Sequence, residues 1–386
     1  MYQNSPYQSG SYSSGGYHSQ PNEMRGSDII AEYLVREKVP YILGYAGHGA
    51  IGLLDGIHSR TDRIRHISPR IEQCAGFMAD VYFRLTRQPL AVYASTGPGP
   101  MNMMITLANA YYDNSAFFLI TGQVPTTQID SGALQDDYRY HGDMSDIFTP
   151  VVKKSWRIRK VEDLCKALPE AFSLIRTGRP GPVHLDIPYD LYIKTAAVEV
   201  PEPQREGAQV NWRTPATDQA VERALDLIAS AQRPLILAGG GVRVGDAFNE
   251  LKALAEYLDV PVYSTFMGKG AMPSDSPLYL GVAGVWGEYP ATEAARNADV
   301  ILAIGARFND LHTGSWLPGY VYNIPPTRLV QVDIDVEEIG RNYPVELGIV
   351  ADSKTFLAQL LKAAQAKGRR SSYGNSWRQE IEGYKT

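Results

Sequence analysis

From Gly26 onward, apolar and polar positions follow the pattern of amphipathic helices and short buried strands. The runs at 89–95 and 116–121 are largely apolar and bounded by polar or glycine-containing turns, as is typical of strands covered on both faces. This rhythm predicts a parallel sheet with helices on both sides. The predicted elements are helices at 29–38 (capped by Ser27), 51–59, 71–85, 101–112 and 161–176, and strands at 41–44, 64–68, 89–95, 116–121 and 183–187.

A second unit of the same kind follows a break in the pattern. Residues 191–215 are rich in proline and show little periodicity, so they are predicted to form a linker. The sequence therefore predicts two doubly wound α/β domains, at 27–190 and 216–366, and a polar C-terminal tail at 367–386. In the second domain, helices are predicted at 218–229, 248–258 and 354–366, and strands at 235–237, 260–264, 300–304 and 329–334.

Residues 1–26 form a low-complexity tract in which tyrosine recurs at every fifth position, from Tyr2 to Tyr17. The tract has almost no aliphatic side chains, so it cannot bury enough apolar area to offset the entropy of ordering, and we expect disorder. It lacks the apolar core of a signal peptide and the arginines of a transit peptide. Two interpretations stay open: weak self-association or partner docking through the tyrosines, or an inert tail.

Charge and composition narrow the functional classes. The 386 residues include 37 Lys and Arg against 42 Asp and Glu, a net charge of −5, so no global basic field exists to hold nucleic acid or an anionic membrane. The longest apolar stretches are far shorter than the roughly 18 residues of a membrane span. Cys74 and Cys165 make neither a disulfide framework nor a metal-ligand pattern. We expect a soluble, cytoplasmic protein with no metal ligands of its own.

Four turns in the first domain stand near strand ends, where parallel sheets bind ligands. Each turn alone is a weak signal. A glycine turn often only allows a tight connection, and a Glu at a helix start often only stabilises the helix dipole. The four are Gly44-Tyr-Ala-Gly-His-Gly49, Pro69-Arg-Ile-Glu-Gln73, Ser95-Thr-Gly-Pro-Gly99 (ahead of Asn102) and Thr121-Gly-Gln-Val-Pro125.

Taken together and in this order, the four turns resemble the pyrimidine-binding domain of thiamine-diphosphate-dependent enzymes of the acetolactate synthase type. The segment Thr177-Gly-Arg-Pro-Gly-Pro182, which runs into His184-Leu-Asp-Ile-Pro188, is similar to the end of that domain. The second unit resembles the central domain of the family at 237–241, 305–310 and 332–340. The resemblance implies two doubly wound parallel-sheet domains, of which the second is Rossmann-like.

Glu72, followed by Gln73, matches the glutamate with which this family begins thiamine chemistry. In the family, C2 of the thiazolium ring loses its proton to the cofactor's own aminopyrimidine nitrogen, which is basic only in the imino tautomer. A carboxyl group bonded to the distal ring nitrogen exchanges a proton with it and drives that tautomer shift. The resemblance therefore implies that Glu72 is the proton relay, whereas an isolated Glu at a helix start would be a partner of the dipole.

The resemblance implies further residues of this site. It places Gln135 near the reacting centre. His48 departs from the acetolactate synthase pattern, and a histidine in this loop is expected to be a proton donor or a substrate contact, with a solvent-facing spacer as the alternative. Acetolactate synthases have glycine where His48 stands, and the Gly-His-Gly sequence is more similar to trihydroxycyclohexanedione hydrolases of the same superfamily. The residues implied to contact the cofactor are Gly44, Tyr45, Gly47, Gln73, Thr96, Gly97, Pro98, Gly99, Asn102 and Gln123.

The second domain offers a possible nucleotide site. Glycines after a strand can turn backbone N–H groups toward a phosphate, and carboxylates at another strand end can accept from a ribose or adenine group. Relatives of this domain bind FAD, bind ADP or bind nothing, and Asn309 and Leu311 stand where the flavin-binding version favours Asp and Arg. FAD and an empty structural domain both stay open. The candidate contacts are Gly239, Gly240, Gly241, Arg307, Asp333 and Asp335.

Catalytic family members hold Mg²⁺ and the cofactor diphosphate in a third domain with a Gly-Asp-Gly motif, because that charge needs hard oxygen ligands and loop N–H groups. The sequence has no Gly-Asp-Gly, and neither Gly142-Asp143 nor Gly245-Asp246 completes one. We therefore expect a separate subunit to supply the diphosphate and Mg²⁺ site, in a hetero-oligomer built on a homodimeric core. A noncatalytic scaffold or relic is the alternative. An FAD- or NAD-binding oxidoreductase built on the second domain alone would not account for any of the motifs in residues 26–190.

The predicted activity is that of a thiamine-diphosphate-dependent lyase or carboligase acting on a 2-oxo acid such as pyruvate. Acetolactate formation is the reference reaction that the resemblance implies. Hydrolytic cleavage of a carbon–carbon bond in a cyclic diketone is the alternative. His48, in its Gly-His-Gly sequence, favours the alternative. The stretch after Gln135 is longer and more charged than the acetolactate synthase pattern, so the substrate stays open.

Overall fold

Two six-stranded sheets, one in each half of the chain, form the framework of the protein. The computed structural model describes residues 23–135, 144–203, 213–371 and 375–385. Most of the predicted low-complexity tail and part of the predicted linker lie outside these residues. All strand pairings within the two sheets are parallel. This confirms the predicted fold class of two doubly wound α/β domains.

The first domain combines a parallel sheet with a small antiparallel ribbon. Its strands are β1 (Glu23–Arg25), β2 (Tyr41–Gly44), β3 (Arg65–Ile67), β4 (Ala91–Ala94), β5 (Phe118–Gln123), β6 (Ser155–Arg157), β7 (Val183–Pro188) and β8 (Thr195–Ala197). Its helices are α1 (Gly26–Arg36), α2 (Ile51–His58), α3 (Glu72–Thr86), α4 (Pro98–Met101), α5 (Met104–Tyr112), α6 (Met144–Phe148), α7 (Leu164–Arg176) and α8 (Tyr189–Ile193). The sheet order is β3-β2-β4-β5-β7-β6, and β1 pairs with β8.

The central strands of the first sheet explain the apolar runs of the sequence. Strands β4, β5 and β7 are buried along their whole length, because helices cover both faces of the sheet. Phe172 of α7 packs edge to face on Phe118 of β5 and on Tyr33 of α1, with ring centroids 5.5 and 5.8 Å apart. These contacts tie two helices to one face of the sheet.

The second domain repeats the architecture. Its strands are β9 (Pro234–Ala238), β10 (Val262–Ser264), β11 (Tyr279–Val282), β12 (Val300–Ile304), β13 (Arg328–Asp333) and β14 (Leu347–Val350). Its helices are α9 (Asp218–Ala229), α10 (Gly240–Val244), α11 (Phe248–Leu258), α12 (Tyr289–Asn297), α13 (Asp310–Thr313), α14 (Ser353–Ala366) and α15 (Asn375–Lys385). The order β11-β10-β9-β12-β13-β14 makes this a Rossmann-type sheet whose strand order reverses between β9 and β12.

The structure differs from the sequence prediction at the ends of elements. Helix α1 begins at Gly26, so Ser27 lies inside the helix and is buried, and no side chain caps its N-terminus; the predicted Ser27 cap was wrong. Where the sequence predicts a tail at 367–386, the structure has helix α15. Its Trp377 is buried against the second domain and donates from Nε1 to the carbonyl oxygen of Pro234 at 3.2 Å.

Ion pairs and hydrogen bonds join the two domains. The guanidinium of Arg179, in the loop before β7, contacts Asp335 at 2.9 Å and Glu338 at 3.2 Å. Arg307 of the second domain donates to the carbonyl oxygen of Tyr112 at 2.8 Å. Glu338 is almost fully buried, so the carboxylate needs this cationic partner to offset its desolvation.

None of the described helices combines the length and the apolar composition that a bilayer crossing requires.

The close approach of two loops at the centre of the second sheet makes Gly239 sensitive to substitution. Its φ of −86° is open to any residue, but a Cβ there would overlap with the carbonyl oxygen of Gly305. We expect Gly239→Ala to lower the free energy of unfolding by about 1–3 kcal/mol because the loops must separate. Urea unfolding measures the change.

The control is Gly383→Ala, since, among the described residues, no atom beyond the chain neighbours and the helix's own backbone lies within 4 Å of a Cβ built at this position in α15. Alanine favours the helix over glycine, so this variant should gain about 0.5 kcal/mol. Equal stability of the Gly239→Ala variant and the wild type would contradict the packing argument.

Candidate active site

The candidate site lies at the carboxyl edge of the first sheet, where the strand order reverses between β2 and β4. In open parallel sheets the crevice at such a reversal is the usual ligand site, because the loops leave in opposite directions. The loop after β2 carries His48, and the loop after β4 carries Thr96 and leads to Asn102 on the way to α5. The topology therefore brings the sequence-predicted turns to one edge.

The backbone of the loop after β2 packs against side chains of the loop after β4. A Cβ on Gly49 would lie 2.5 Å from Cγ2 of Thr96, so only glycine fits there. The backbone N–H of Gly49 donates to Oγ of Ser95 at 3.1 Å. Ser95 belongs to the predicted motif, but this role was missed, because a contact between residues 46 positions apart has no local signal. The packing leaves His48, between the two glycines of its loop, exposed at the surface of the site.

Glu72 is the first residue of α3 and is half-buried. Its Oε2 accepts a hydrogen bond from Nδ2 of Asn102 at 3.1 Å. Its other oxygen, Oε1, faces Gly99, where a Cβ would lie 3.2 Å away. The carboxyl group is therefore held by Asn102 on one side, and the other oxygen lies beside a glycine, where a side chain would crowd it. A carboxyl group in this arrangement can exchange a proton with a ligand nitrogen.

Three more predicted residues are linked through one hydroxyl group. Oγ1 of Thr96 is 3.2 Å from Nε2 of His48 and donates to Oε1 of Gln135 at 3.1 Å. Thr96 is buried, whereas His48 and Gln135 are exposed. The structure thus joins two residues predicted to act on substrate to one predicted to contact the cofactor.

The remaining predicted contacts fall into two groups. Tyr45 is half exposed on the same loop as His48. Gln123, at the end of β5, is buried, accepts from the backbone N–H of Val124 at 2.7 Å, and lines a cavity of about 280 Å³ with Arg157 and Asp186. The other predicted positions lie at the end of β2, on the loops after β2 and β4, or at the starts of α3 and α4, namely Gly44, Gly47, Gln73, Gly97 and Pro98.

A cavity of about 450 Å³ lies between the two domains, at the reversal of the second sheet. Arg87 and Arg243 line it from opposite domains, and burial together with the charge of Arg243 lowers the pKa of Arg87. Phe266 and Trp286 form an aromatic wall, with ring centroids 6.2 Å apart. The cavity therefore combines cationic and aromatic surfaces, a combination the sequence alone did not indicate.

Four of the six candidate nucleotide contacts line this cavity, namely Gly240, Gly241, Arg307 and Asp333. Gly239 instead packs against Gly305, and the carboxylate of Asp335 is engaged by Arg179. The side chain of Asn309 caps α13 by accepting from the backbone N–H of His312, so it serves the fold.

Asp333 ends β13 and is buried at the cavity wall. Burial raises the pKa of its carboxyl group from about 3.8 to about 6, and the negative charge of Glu338 acts in the same direction. The backbone N–H of Asp335 and the charge of Arg179 oppose the shift. Among the described residues, no group of three or more His, Cys, Asp and Glu side chains is placed to hold a metal ion.

Two family models match the chain. Residues 24–142 match the model described as "Thiamine pyrophosphate enzyme, N-terminal TPP binding domain". Residues 221–360 match the model described as "Thiamine pyrophosphate enzyme, central domain". The first match includes β2 to β5 with the Glu72 site, and the second includes the whole of the second sheet.

Similar curated proteins are named as acetolactate synthase large subunits. A probable acetolactate synthase large subunit of Methanocaldococcus jannaschii is 36% identical over 351 residues, which cover 88% of this chain and 56% of that protein. The acetolactate synthase large subunit of Corynebacterium glutamicum is 34% identical, with 95% and 56% covered. The isozyme 3 large subunit of Escherichia coli is 32% identical, with 93% and 61% covered. The chain thus spans little more than half the length of these relatives.

The raised pKa of Asp333 predicts a pH-dependent stability. Between about pH 4 and pH 6 the folded protein keeps a proton that the unfolded chain has lost, so this group's contribution falls as pH rises. Asp333→Asn removes the buried charge. We expect its free energy of unfolding, relative to wild type, to increase from pH 4.5 to pH 7.5 by an amount on the order of 2 kcal/mol. Urea unfolding at both pH values measures it, and an equal difference at the two would contradict the assignment.

Proposed function

The chain belongs to the thiamine pyrophosphate enzyme family, and we propose that it is a subunit of an acetolactate synthase-like lyase or carboligase acting on a 2-oxo acid such as pyruvate. When bound, thiamine diphosphate supplies the electron sink for decarboxylation and carbon–carbon bond formation. The part of this chain is to hold the aminopyrimidine side of the cofactor and to move a proton at Glu72.

The observation that carries the proposal is the setting of the Glu72 carboxyl group. Asn102 donates to Oε2 and so holds the carboxylate in one orientation, while the lack of a side chain at Gly99 keeps Oε1 from being crowded. Half burial limits the water that competes for the proton. The residues present therefore fit the pyrimidine end of the cofactor.

The proposal includes a separate subunit that holds the cofactor diphosphate and Mg²⁺. Support comes from an apolar patch beside the site, on helices that pack together where Gly76 meets Thr106. Exposed apolar areas of this kind mark protein interfaces. A partner domain covering the patch would also close the open side of the Glu72 site, in a hetero-oligomer built on a homodimeric core. The patch consists of Phe77, Met78, Val81, Leu85, Met101 and Ile105.

A cytoplasmic location is part of the same proposal. Cys74 and Cys165 are both free thiols. Cysteines in this state are typical of a reducing compartment such as the cytoplasm.

Hydrolysis of a cyclic diketone is the second candidate reaction. The observation in its favour is His48, whose imidazole is exposed in the site and bonded to Thr96. An imidazole there can exchange a proton with a substrate oxygen or with water. The two candidates share Glu72 and differ in the compound that reaches His48.

A nucleotide, FAD in the first instance, is proposed for the cavity between the domains. A flavin dinucleotide joins a planar aromatic ring to a diphosphate. The cavity offers Phe266 and Trp286 to the ring, and Arg87 and Arg243 to the phosphates. An empty structural domain is the alternative outcome.

The test of the catalytic proposal uses the full chain mixed with candidate subunits that carry Gly-Asp-Gly. Pyruvate consumption and product formation are measured together with thiamine diphosphate binding by calorimetry. Glu72→Gln keeps the shape of the side chain but cannot relay the proton, so kcat should fall at least about 100-fold while binding and assembly persist. Glu162→Gln, at an exposed acidic residue in the first turn of another helix, is the control and should keep the wild-type rate.

Other outcomes would remove parts of the proposal. An unchanged rate for Glu72→Gln would end its role as proton relay, and full activity of the chain alone would exclude the need for a separate subunit. Turnover of a cyclic diketone but not of pyruvate would select the hydrolase. Assembly without turnover of either compound would favour the scaffold alternative.

Flavin binding is expected to quench FAD fluorescence on titration with the protein. Trp286→Ala removes part of the aromatic wall and should weaken FAD binding about tenfold. Tyr289→Ala, at an exposed aromatic residue that does not line the cavity, is the matched control. If FAD fluorescence is not quenched, or if quenching is lowered equally in both variants, the proposal of a flavin in this cavity is wrong.

A further inference from the structure

We propose that Thr96 is a positioning residue whose single hydroxyl group sets the tautomer of His48 and the orientation of the Gln135 amide. The inference deepens the proposed function and rests on it, because it assigns the side of the site that faces the substrate. In this arrangement His48 presents an acceptor nitrogen, and Gln135 presents an amide donor.

Packing fixes the side chain of Thr96. The residue is 1% exposed, and its methyl group Cγ2 occupies the space beside Gly49 where a Cβ would otherwise be. A threonine has few rotamers in any case, because two heavy atoms branch from Cβ. The hydroxyl group is therefore held between the loop of His48 and the segment of Gln135.

Gln135 is held in place from its backbone as well. Its φ of 62° is in the left-handed region, which is uncommon for a residue other than glycine. Its carbonyl oxygen and Cβ lie directly against Gly97, where a Cβ would be 3.0 Å from that oxygen. A residue in such a conformation persists only where its surroundings specify it, which is frequent at functional sites.

A count of protons then determines the donors and acceptors. The hydroxyl group of Thr96 has one hydrogen, and it is donated to Oε1 of Gln135. Nε2 of His48, 3.2 Å from the same oxygen, must therefore be the donor in its contact with Thr96. A neutral imidazole carries one N–H, so Nδ1 of His48 keeps a lone pair.

The amide group of Gln135 follows from the same count. Because its oxygen accepts from Thr96, its NH₂ group is directed elsewhere and has two hydrogens to donate. A substrate oxygen can accept from this group, while Nδ1 of His48 can take up or return a proton. Thr96 thus acts through two neighbours and contacts neither the substrate nor the reacting atoms in this scheme.

The first test needs neither cofactor nor partner. Side-chain ¹⁵N NMR of the full chain at a pH where His48 is neutral distinguishes the two tautomers, and the loss of one signal in His48→Gln assigns it among the 7 histidines. We expect one tautomer, Nε2–H, in wild type and in Thr96→Ser. Thr96→Val removes the hydroxyl group at nearly constant volume and should show both tautomers in exchange.

A second variant makes the test directional. In Gln135→Ala the Thr96 hydrogen has lost its acceptor, so it can turn to Nε2 of His48 and increase the population of the Nδ1–H tautomer. A wild type that is already Nδ1–H, or a tautomer that does not respond to either Thr96→Val or Gln135→Ala, would overturn the proposal. Circular dichroism confirms that each variant is folded.

The kinetic test uses the assembled enzyme. Thr96→Val should lower kcat/KM about tenfold and Thr96→Ser should restore it, as expected for the loss of one orienting hydrogen bond. In a Gln135→Ala background, Thr96→Val should have less effect than in wild type, because the two act as a unit. Additive effects would overturn the proposal. If the wild type has no turnover, the proposed function fails, and the tautomer measurement still decides the role of Thr96.

Discussion

The structure depends on the close contact of two loops at the point where the strand order of the first sheet reverses. Gly49 lets the loop after β2 pack on Thr96, and the N–H of Gly49 bonds to Ser95, so the ends of two adjacent strands act as one rigid edge. His48 is exposed because its neighbours are packed. Without this contact, the residues of the site would belong to separate, independently moving loops.

In the second sheet, glycines also bring two loops into contact, but the consequence for the site is different. Its two central loops meet at Gly239 and Gly305, again at the reversal of strand order. Here the glycines allow the backbones of the two loops to touch, and the ligand-sized cavity lies beside them, between the domains. A glycine-rich turn therefore indicates where a sheet brings loops together, and the side chains around it determine the chemistry.

The central strands could be predicted from the sequence, and several peripheral elements could not. Buried strands such as β5 and β12 are continuously apolar, which is a strong local signal. The edge strands β11 and β14 are short and partly exposed, and α15 is polar except for a few residues such as Trp377, so tertiary contacts decide their structure. In the site, Glu72 and Asn102 could be named one by one. Their hydrogen bond, across 30 positions of sequence, and the chain through Thr96 follow only from the fold.

The ion pairs of Arg179 with Asp335 and Glu338 link ligand binding at Asp335 to the contact between the two domains. A ligand that recruited the Asp335 carboxylate would have to displace a guanidinium belonging to the other domain. The free energy of binding there and the free energy of holding the domains together are thus linked, and a change in one is reflected in the other. In such a molecule, ligand binding in the cavity between the domains and the relative orientation of the domains are coupled equilibria.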